Sequence, residues 1–363
     1  VETAVNPDLN ADHRVDIAAI EKSLADLWRA DKDDGEHTVT RAALWNVVAH
    51  TTTSALHATA SETLARASAA VPQRTIVVRA DPAAAPEMSS WISANCHQVG
   101  GGKQVCSEEI AIVAGGDRVH RVPPLVNALL LPDMPVAFWW LGDLPNGQDD
   151  YVSALLEPAD RLIVDSVYFD SPDDLRLVGG VAAQTTTAPA DLNWVRLEEW
   201  RTATASVFDA VHLRERLDSL RSVRVVAAAG EGAFFGHSVQ SLFYTSWLAT
   251  QLGHDVAEDG AVQGGGGAID YRFERTQSDD VGGVAHVELT FADGWKATIT
   301  RDCERSILTT NVDGVVNIPD SVTRNPLQKT PELIVRQLKR PEGDRMLLKV
   351  LPLAVRMASR VVA

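Results

Sequence analysis

The chain has 363 residues, which at roughly 150 residues per domain suggests two domains. Its 33 Lys and Arg against 49 Asp and Glu leave a net charge of −16, and so acidic an average surface repels nucleic-acid phosphates. With 45% hydrophobic and 23% charged residues the chain can build an ordinary globular core; its three cysteines are too few for a disulfide framework, which points to a reducing cytosol.

Residues 1–30 carry acids and no apolar run of the secretory type, so no signal segment is expected there. Residues 128–141 form the longest apolar stretch, but Pro132, Asp133 and Pro135 break it, and it is too short to cross a bilayer. Charge is uneven: residues 324–363 hold nine Lys and Arg against three Asp and Glu. That tail reads either as a solvated helix face or as a basic surface for an acidic partner.

Ile17, Ile20, Leu24, Leu27 and Trp28 recur at helical spacing, which predicts an amphipathic helix over 15–30. Residues 40–50 (TRAALWNVVAH) have strand character, and 51–70 read as a helix opened by a Thr or Ser cap. RTIVVR at 74–79 predicts a strand. Runs 91–99 and 104–113 flank Gly100, Gly101 and Gly102 and predict a β-hairpin. A helix is expected over 119–131, a buried strand over 135–140, a helix from Tyr151, a strand over 161–166, and helices over 172–186 and 197–211.

Beyond this, 223–229 reads as a strand and 237–252 as a helix. Short strands follow at 271–275, 284–291, 295–301 and 306–312, with Asp293-Gly294 and Asp313-Gly314 as hairpin turns. Helices over 326–340 and 344–362 close the chain, with Pro352 expected to kink or split the last one. The expected organisation is an N-terminal helix and linker over 1–38 and an α/β domain with a mixed sheet over 39–215. An α+β domain with an antiparallel meander over 216–363 completes it, the boundary lying near 214–222.

The candidate motifs each have a bland counterpart. Gly230-x-Gly232-x-x-x-Gly236 follows a strand and opens a helix, as a dinucleotide fingerprint does. Asp255, Glu258 and Asp259 lie after that helix, where NADP would want a cation, and the chain then enters a meander, so a plain strand-to-helix turn competes. Gly236-His237-Ser238-Val239-Gln240 lacks the final glycine of a nucleophile elbow. Gly100-Gly101-Gly102-Lys103-Gln104 lacks the first glycine and the hydroxyl of a phosphate loop.

Cys96 and Cys106 face each other if the hairpin pairs as drawn. They read foremost as two buried free thiols, with a reversible thiol switch as the alternative and a zinc site with His97 as a remote one. Cys303 reads as a structural residue within a strand. His50 and His57 read as satisfied structural histidines. In Trp139-Trp140 neighbouring indoles point to opposite faces of a strand, so both fill core or one is an anchor at a partner surface.

Several segments together carry a family resemblance: residues 24–28 (LADLW), 40–49 (TRAALWNVVA), 72–77 (PQRTIV), 96–110 (CHQVGGGKQVCSEEI), 131–142 (LPDMPVAFWWLG), 160–166 (DRLIVDS), 191–201 (DLNWVRLEEWR) and 246–253 (SWLATQLG). In this order they resemble the OpcA family, the glucose-6-phosphate dehydrogenase assembly proteins of cyanobacteria and actinobacteria. The resemblance implies a non-catalytic, cytoplasmic protein that binds glucose-6-phosphate dehydrogenase and favours its active oligomer. It would so raise NADPH supply through the oxidative pentose phosphate pathway. It carries over no catalytic, cofactor or metal residues.

Contact candidates are whichever of Trp139 and Trp140 faces outward, together with Arg336, Lys339 and Arg340. Some relatives are thiol-regulated, and here only Cys96 and Cys106 fall in a family-like motif. The competing expectations are an NADP-dependent oxidoreductase using Gly230, Gly232 and Gly236, and a sensor of a sugar phosphate such as glucose 6-phosphate.

Overall fold

The computed structural model describes the chain except for residues 1–2, 6–9, 12–13, 16, 31–37, 99–102, 143, 145–149, 230–234, 278–281, 316–317, 341 and 361–363. It divides into two compact units whose segments interleave. Unit 1 holds Val1–Val164, Gln184–Ala190 and Lys329–Gly343; unit 2 holds Asp165–Ala183, Asp191–Gln328 and Asp344–Ala363.

The elements of the first stretch are β1 (Thr3–Val5), β2 (Asn10–Ala11), β3 (Arg14–Val15), α1 (Ile17–Ala30), β4 (Thr38–Arg41), β5 (Trp45–Thr51), α2 (Ser54–Ser68), β6 (Gln73–Asp81), β7 (Glu87–Gln98), β8 (Lys103–Gly115), α3 (Val122–Leu129), β9 (Val136–Trp140), α4 (Asp150–Leu156) and β10 (Arg161–Val164). Then come α5 (Pro172–Gln184), β11 (Ala188–Asp191), α6 (Leu192–Val195), α7 (Glu198–Val207) and α8 (Val211–Arg214). The remainder is β12 (Leu220–Ala229), α9 (Gly236–Leu252), β13 (Asp255–Val256), β14 (Val262–Gly264), β15 (Gly267–Gln277), β16 (Gly283–Phe291), β17 (Lys296–Asp302), β18 (Ile307–Asp313), β19 (Ser321–Arg324), α10 (Thr330–Leu338) and α11 (Arg345–Met357).

The sheet of unit 1 has the order β1-β7-β8-β6-β5-β9-β10-β11, with β4 also on β8. The pairings β8–β6, β6–β5, β5–β9 and β9–β10 are parallel, and the β7–β8 hairpin makes the sheet mixed. Every residue of β5, β9 and β10 is buried, as in a parallel sheet with both faces covered. That double burial is why VAFWW reads as a continuous apolar run, and why Asn46, His50 and Thr51 of β5 are buried beside its apolar residues. Numbered from β5, the order β8-β6-β5-β9-β10-β11 is 3-2-1-4-5-6, the doubly wound arrangement of dinucleotide-binding domains. Its ligand crevice lies at the carboxyl ends of the strands, between β5 and β9, where the order reverses.

Unit 2 is built on the sheet β13-β14-β15-β12-β16-β17-β18-β19. β16 to β19 form the expected antiparallel meander, and Gly294, at φ 88°, turns the β16–β17 hairpin. Val223, Val225, Val287, Leu289, Ala297 and Ile299 are buried, and the residues between them point to the other face. Helices α7 and α9 pack on this sheet, and α11 packs on α9.

The units divide after Val164: α7 packs on β17, β18 and β19 and α6 on α9, which ties residues 191–214 to the second sheet. Two expectations need correction. The stretch after α9 does not pass straight into a meander: β15 runs parallel to β12, so β12, α9 and β15 form a crossover unit. Finally, α11 continues through Pro352. Its buried stripe is Leu347, Val350, Leu351, Ala354 and Met357, and the exposed Pro352 lies off that face.

Candidate functional site

At the carboxyl end of β5 and β9 the crevice of unit 1 is occupied by side chains. His50 and Trp140 are paired in register and stack with ring centroids 4.1 Å apart and planes 20° from parallel. From α4, the Tyr151 hydroxyl lies 3.1 Å from His50 Nε2. His50 and Trp140 are 3% and 5% exposed. Burial holds the imidazole neutral and drives its pKa down to about 3.

The turn from β5 into α2 reads Thr51-Thr52-Thr53-Ser54, with a Cβ at every position where a fingerprint uses glycine to let phosphate approach the backbone. Thr51 donates to the Val78 carbonyl at 2.8 Å, and the Thr53 hydroxyl caps the helix by accepting from Leu56 N at 3.2 Å. Arg79, near the end of β6 where such folds read the ribose, donates to Ser54 Oγ and to Glu87 at 3.0 Å. His57 lies one turn into α2 beside Trp91, and neither of its buried ring nitrogens meets a protein partner. His50 Nδ1 likewise meets no protein partner.

Of the glycine turn before α9, Gly230 and Gly232 lie outside the described residues. Gly236 opens the helix, and its amide donates to the Phe169 carbonyl at 2.7 Å. A Cβ on Gly236 would stand 2.1 Å from the Val167 carbonyl oxygen. This glycine therefore serves a close backbone crossing. Gly100, Gly101 and Gly102 of the hairpin turn also lie outside the described residues.

Cys96 and Cys106 stand directly opposite in the β7–β8 register and form a disulfide, with Cα atoms 4.0 Å apart. The preferred reading as two free thiols is thus overturned; hairpin register put the sulfurs within bonding reach, which the spacing alone left open. Beside the bond, α2 and β7 bound a groove of about 540 Å³ lined by Glu62, Arg66, Asn95, Cys96 and His97 among others. His97 Nε2 meets Ser68 Oγ at 3.1 Å and the Ala65 carbonyl at 3.2 Å. Cys303 is a free, exposed thiol in the turn between β17 and β18, not a strand residue. Among the described residues no group of three or more His, Cys, Asp or Glu could hold a metal ion, and no helix is long and apolar enough to cross a membrane.

Sequence reasoning passed over one charged cluster in unit 2. Arg196 grips Asp165 with two hydrogen bonds of 2.6 and 2.8 Å. Asp191 accepts from Asn193 N at 2.7 Å, capping α6, and from Ser166 N at 3.3 Å. Burial and then the neighbouring Asp165 push the Asp191 carboxyl up to about 7. The only sequence signal was the cap pattern Asp191-Leu192-Asn193; the approach of Asp165 to Asp191 is a tertiary event.

The partner-contact candidates separate sharply. Trp139 and Trp140 are 3% and 5% exposed, so neither faces outward. Both sheet faces are covered at β9, and the expectation of one outward indole fails for that reason. Lys339 is exposed just past α10, and Arg336 and Arg340 are half-buried. The buried Arg161, whose guanidinium lies 5.2 Å from the centre of the Trp45 ring, donates to the Gln337 and Arg340 carbonyls and pins the end of this helix.

Two family models match the chain: a glucose-6-phosphate dehydrogenase subunit N-terminal domain over residues 65–178, and the corresponding C-terminal domain over 187–351. The chain belongs to the OpcA family. The putative OxPP cycle protein OpcA of Synechocystis sp. is 30% identical over 148 residues, which cover 41% of this chain and 30% of the relative. That of Synechococcus elongatus is 31% identical over 169 residues, covering 46% and 36%. The matched part thus spans about a third of each OpcA relative's length. Solved structures with some likeness include a levoglucosan dehydrogenase complexed with NADH (9% identity, TM-score 0.49, 89% of this chain and 97% of that one). Another is an NAD-binding oxidoreductase from Klebsiella pneumoniae (12%, TM-score 0.48, 89% and 98%). The two OpcA models meet between residues 178 and 187, in α5 and the approach to β11.

Proposed function

We propose that this protein binds glucose-6-phosphate dehydrogenase and shifts it toward its active oligomer, with no bond-making chemistry of its own. Membership of the OpcA family carries the reading. The filled crevice of unit 1 supports its non-catalytic half: His50, Trp140 and Tyr151 stand where the fold would seat a nicotinamide dinucleotide. To activate, the chain must hold the partner's active state more tightly than its inactive one. A coupling of 1–3 kcal/mol would shift that balance by about 5–150-fold.

The test is to mix the purified chain with purified dehydrogenase and follow turnover and native mass together. Higher turnover with a larger assembly is expected. Unchanged turnover and mass, or turnover of a metabolite by the chain alone, would overturn the proposal.

The strand order of unit 1 favours a second reading, an NADP-dependent oxidoreductase. Ligand at about 100 times its dissociation constant would stabilise the fold by about 2.7 kcal/mol. A thermal shift with NADP of that size would support this reading, and one with glucose 6-phosphate would support a sugar-phosphate sensor.

A further inference from the structure

We infer that the outer face of the unit 2 sheet is a self-association surface, which packs against the same face of a second copy of this chain. Register across five pairings places Glu274, Val226, His286, Thr300, Thr309 and Val322 in one line from β15 to β19. The next line inward along the strands, containing Val225, Val287 and Ile299, is buried on the helix side. The first line is therefore the opposite face. No described helix of unit 2 packs there, since α7 and α9 serve the apolar side of the sheet.

The charge on this face sets it apart from the chain as a whole. The chain carries −16, so two copies repel over most of their surface. Here three of the acids have a cation beside them: Arg224 with Glu274 at 2.6 Å, Arg272 with Asp270 at 2.6 Å, Lys296 with Glu288 at 3.5 Å, and Asp313 stands opposite Lys296 in the register. A face whose charges are mostly paired within itself can meet its own image across a two-fold axis with little like-charge cost, and a two-fold contact requires one patch to be its own complement.

The middle of the face is β-branched and short: Thr298, Thr300 and Thr309 lose little rotamer freedom on burial, and Val322, on the edge strand, is 62% exposed. Six strands about 4.8 Å apart and about six residues long give a face of roughly 29 by 20 Å. That is about 600 Å² per copy and about 1,200 Å² for the pair, the lower bound of stable interfaces.

The test is sedimentation velocity on the full chain over a wide concentration range, with the double variant Thr300→Arg/Thr309→Arg and the control Thr300→Ser/Thr309→Ser. The wild type and the Ser control are expected to form dimers. The Arg variant should weaken dimerisation at least tenfold while keeping the wild-type circular dichroism spectrum. A wild type that stays monomeric throughout, or an Arg variant that still dimerises, overturns the inference. A monomeric wild type whose Arg variant fails to bind the dehydrogenase overturns it too, and assigns the face to that enzyme. Activation of the dehydrogenase by the wild type is read separately, so this result and the proposed function stand or fall independently.

Discussion

His50 and Trp140 close the mouth between β5 and β9 by stacking 4.1 Å apart, with Tyr151 fixing the imidazole from α4. The two rings replace a ligand crevice with packed core. Trp140→Ala should therefore cost about 3–5 kcal/mol in chemical denaturation, as large aromatic truncations do. Tyr151→Phe leaves His50 Nε2 buried without its partner and should cost about 1–3 kcal/mol. Recovery of wild-type stability by either variant would show that the crevice is loosely filled.

The pH dependence of stability has two opposed contributions, which variants can separate. His50 sits near 3 when folded against 6.5 unfolded, so its contribution is present above pH 6.5 and is lost as pH falls toward 3. Asp191 sits near 7 when folded against 3.8 unfolded, so its contribution is full below pH 3.8 and is lost as pH rises through 7. Asp191→Asn keeps the cap acceptor and removes the proton. Between pH 4 and 7 the Asn variant should gain on the wild type as pH rises, by a few kcal/mol in all. Parallel stability profiles for the two proteins would contradict this.

Cys96 and Cys106 are ten residues apart in sequence. On the loop-entropy account, breaking so short a loop removes about 2.5–3 kcal/mol of stability. A reductant should lower the melting temperature of the wild type and leave a Cys96→Ala/Cys106→Ala variant unmoved. Alkylation with mass spectrometry on cell extract would report the state in vivo, and two permanently reduced thiols would remove the pair from consideration as a switch.

Gly236→Ala separates packing from cofactor binding. The added Cβ meets backbone at Val167 and Ser166, at 2.1–2.7 Å, and backbone cannot step aside cheaply. A loss of about 1–3 kcal/mol is expected with no nucleotide present. An Ala variant as stable as the wild type but deficient in NADP binding would restore the dinucleotide reading.

The basic end of α10 is the surviving candidate for partner contact. Charge reversal at Lys339, Arg336 and Arg340 should weaken capture of the dehydrogenase at low salt, and added salt should blunt the difference because exposed charges are screened. Normal binding by the triple variant would remove this surface from the proposal.

The sequence by itself determined the type and place of most elements. Alternation over 284–312 marked strands with one buried face, and the runs at 40–50 and 135–140 marked strands, the latter buried. It also placed Cys96 opposite Cys106, because a hairpin is a local pairing around one turn. Tertiary structure alone decided the strand order that sets β5 beside β9, the parallel return of β15 to β12, and the meeting of Asp165 with Asp191. It also decided that both Trp139 and Trp140 lie inside. The physical reason is range: periodicity reports how each segment meets the core, whereas order, crossover and mutual burial depend on partners tens of residues away.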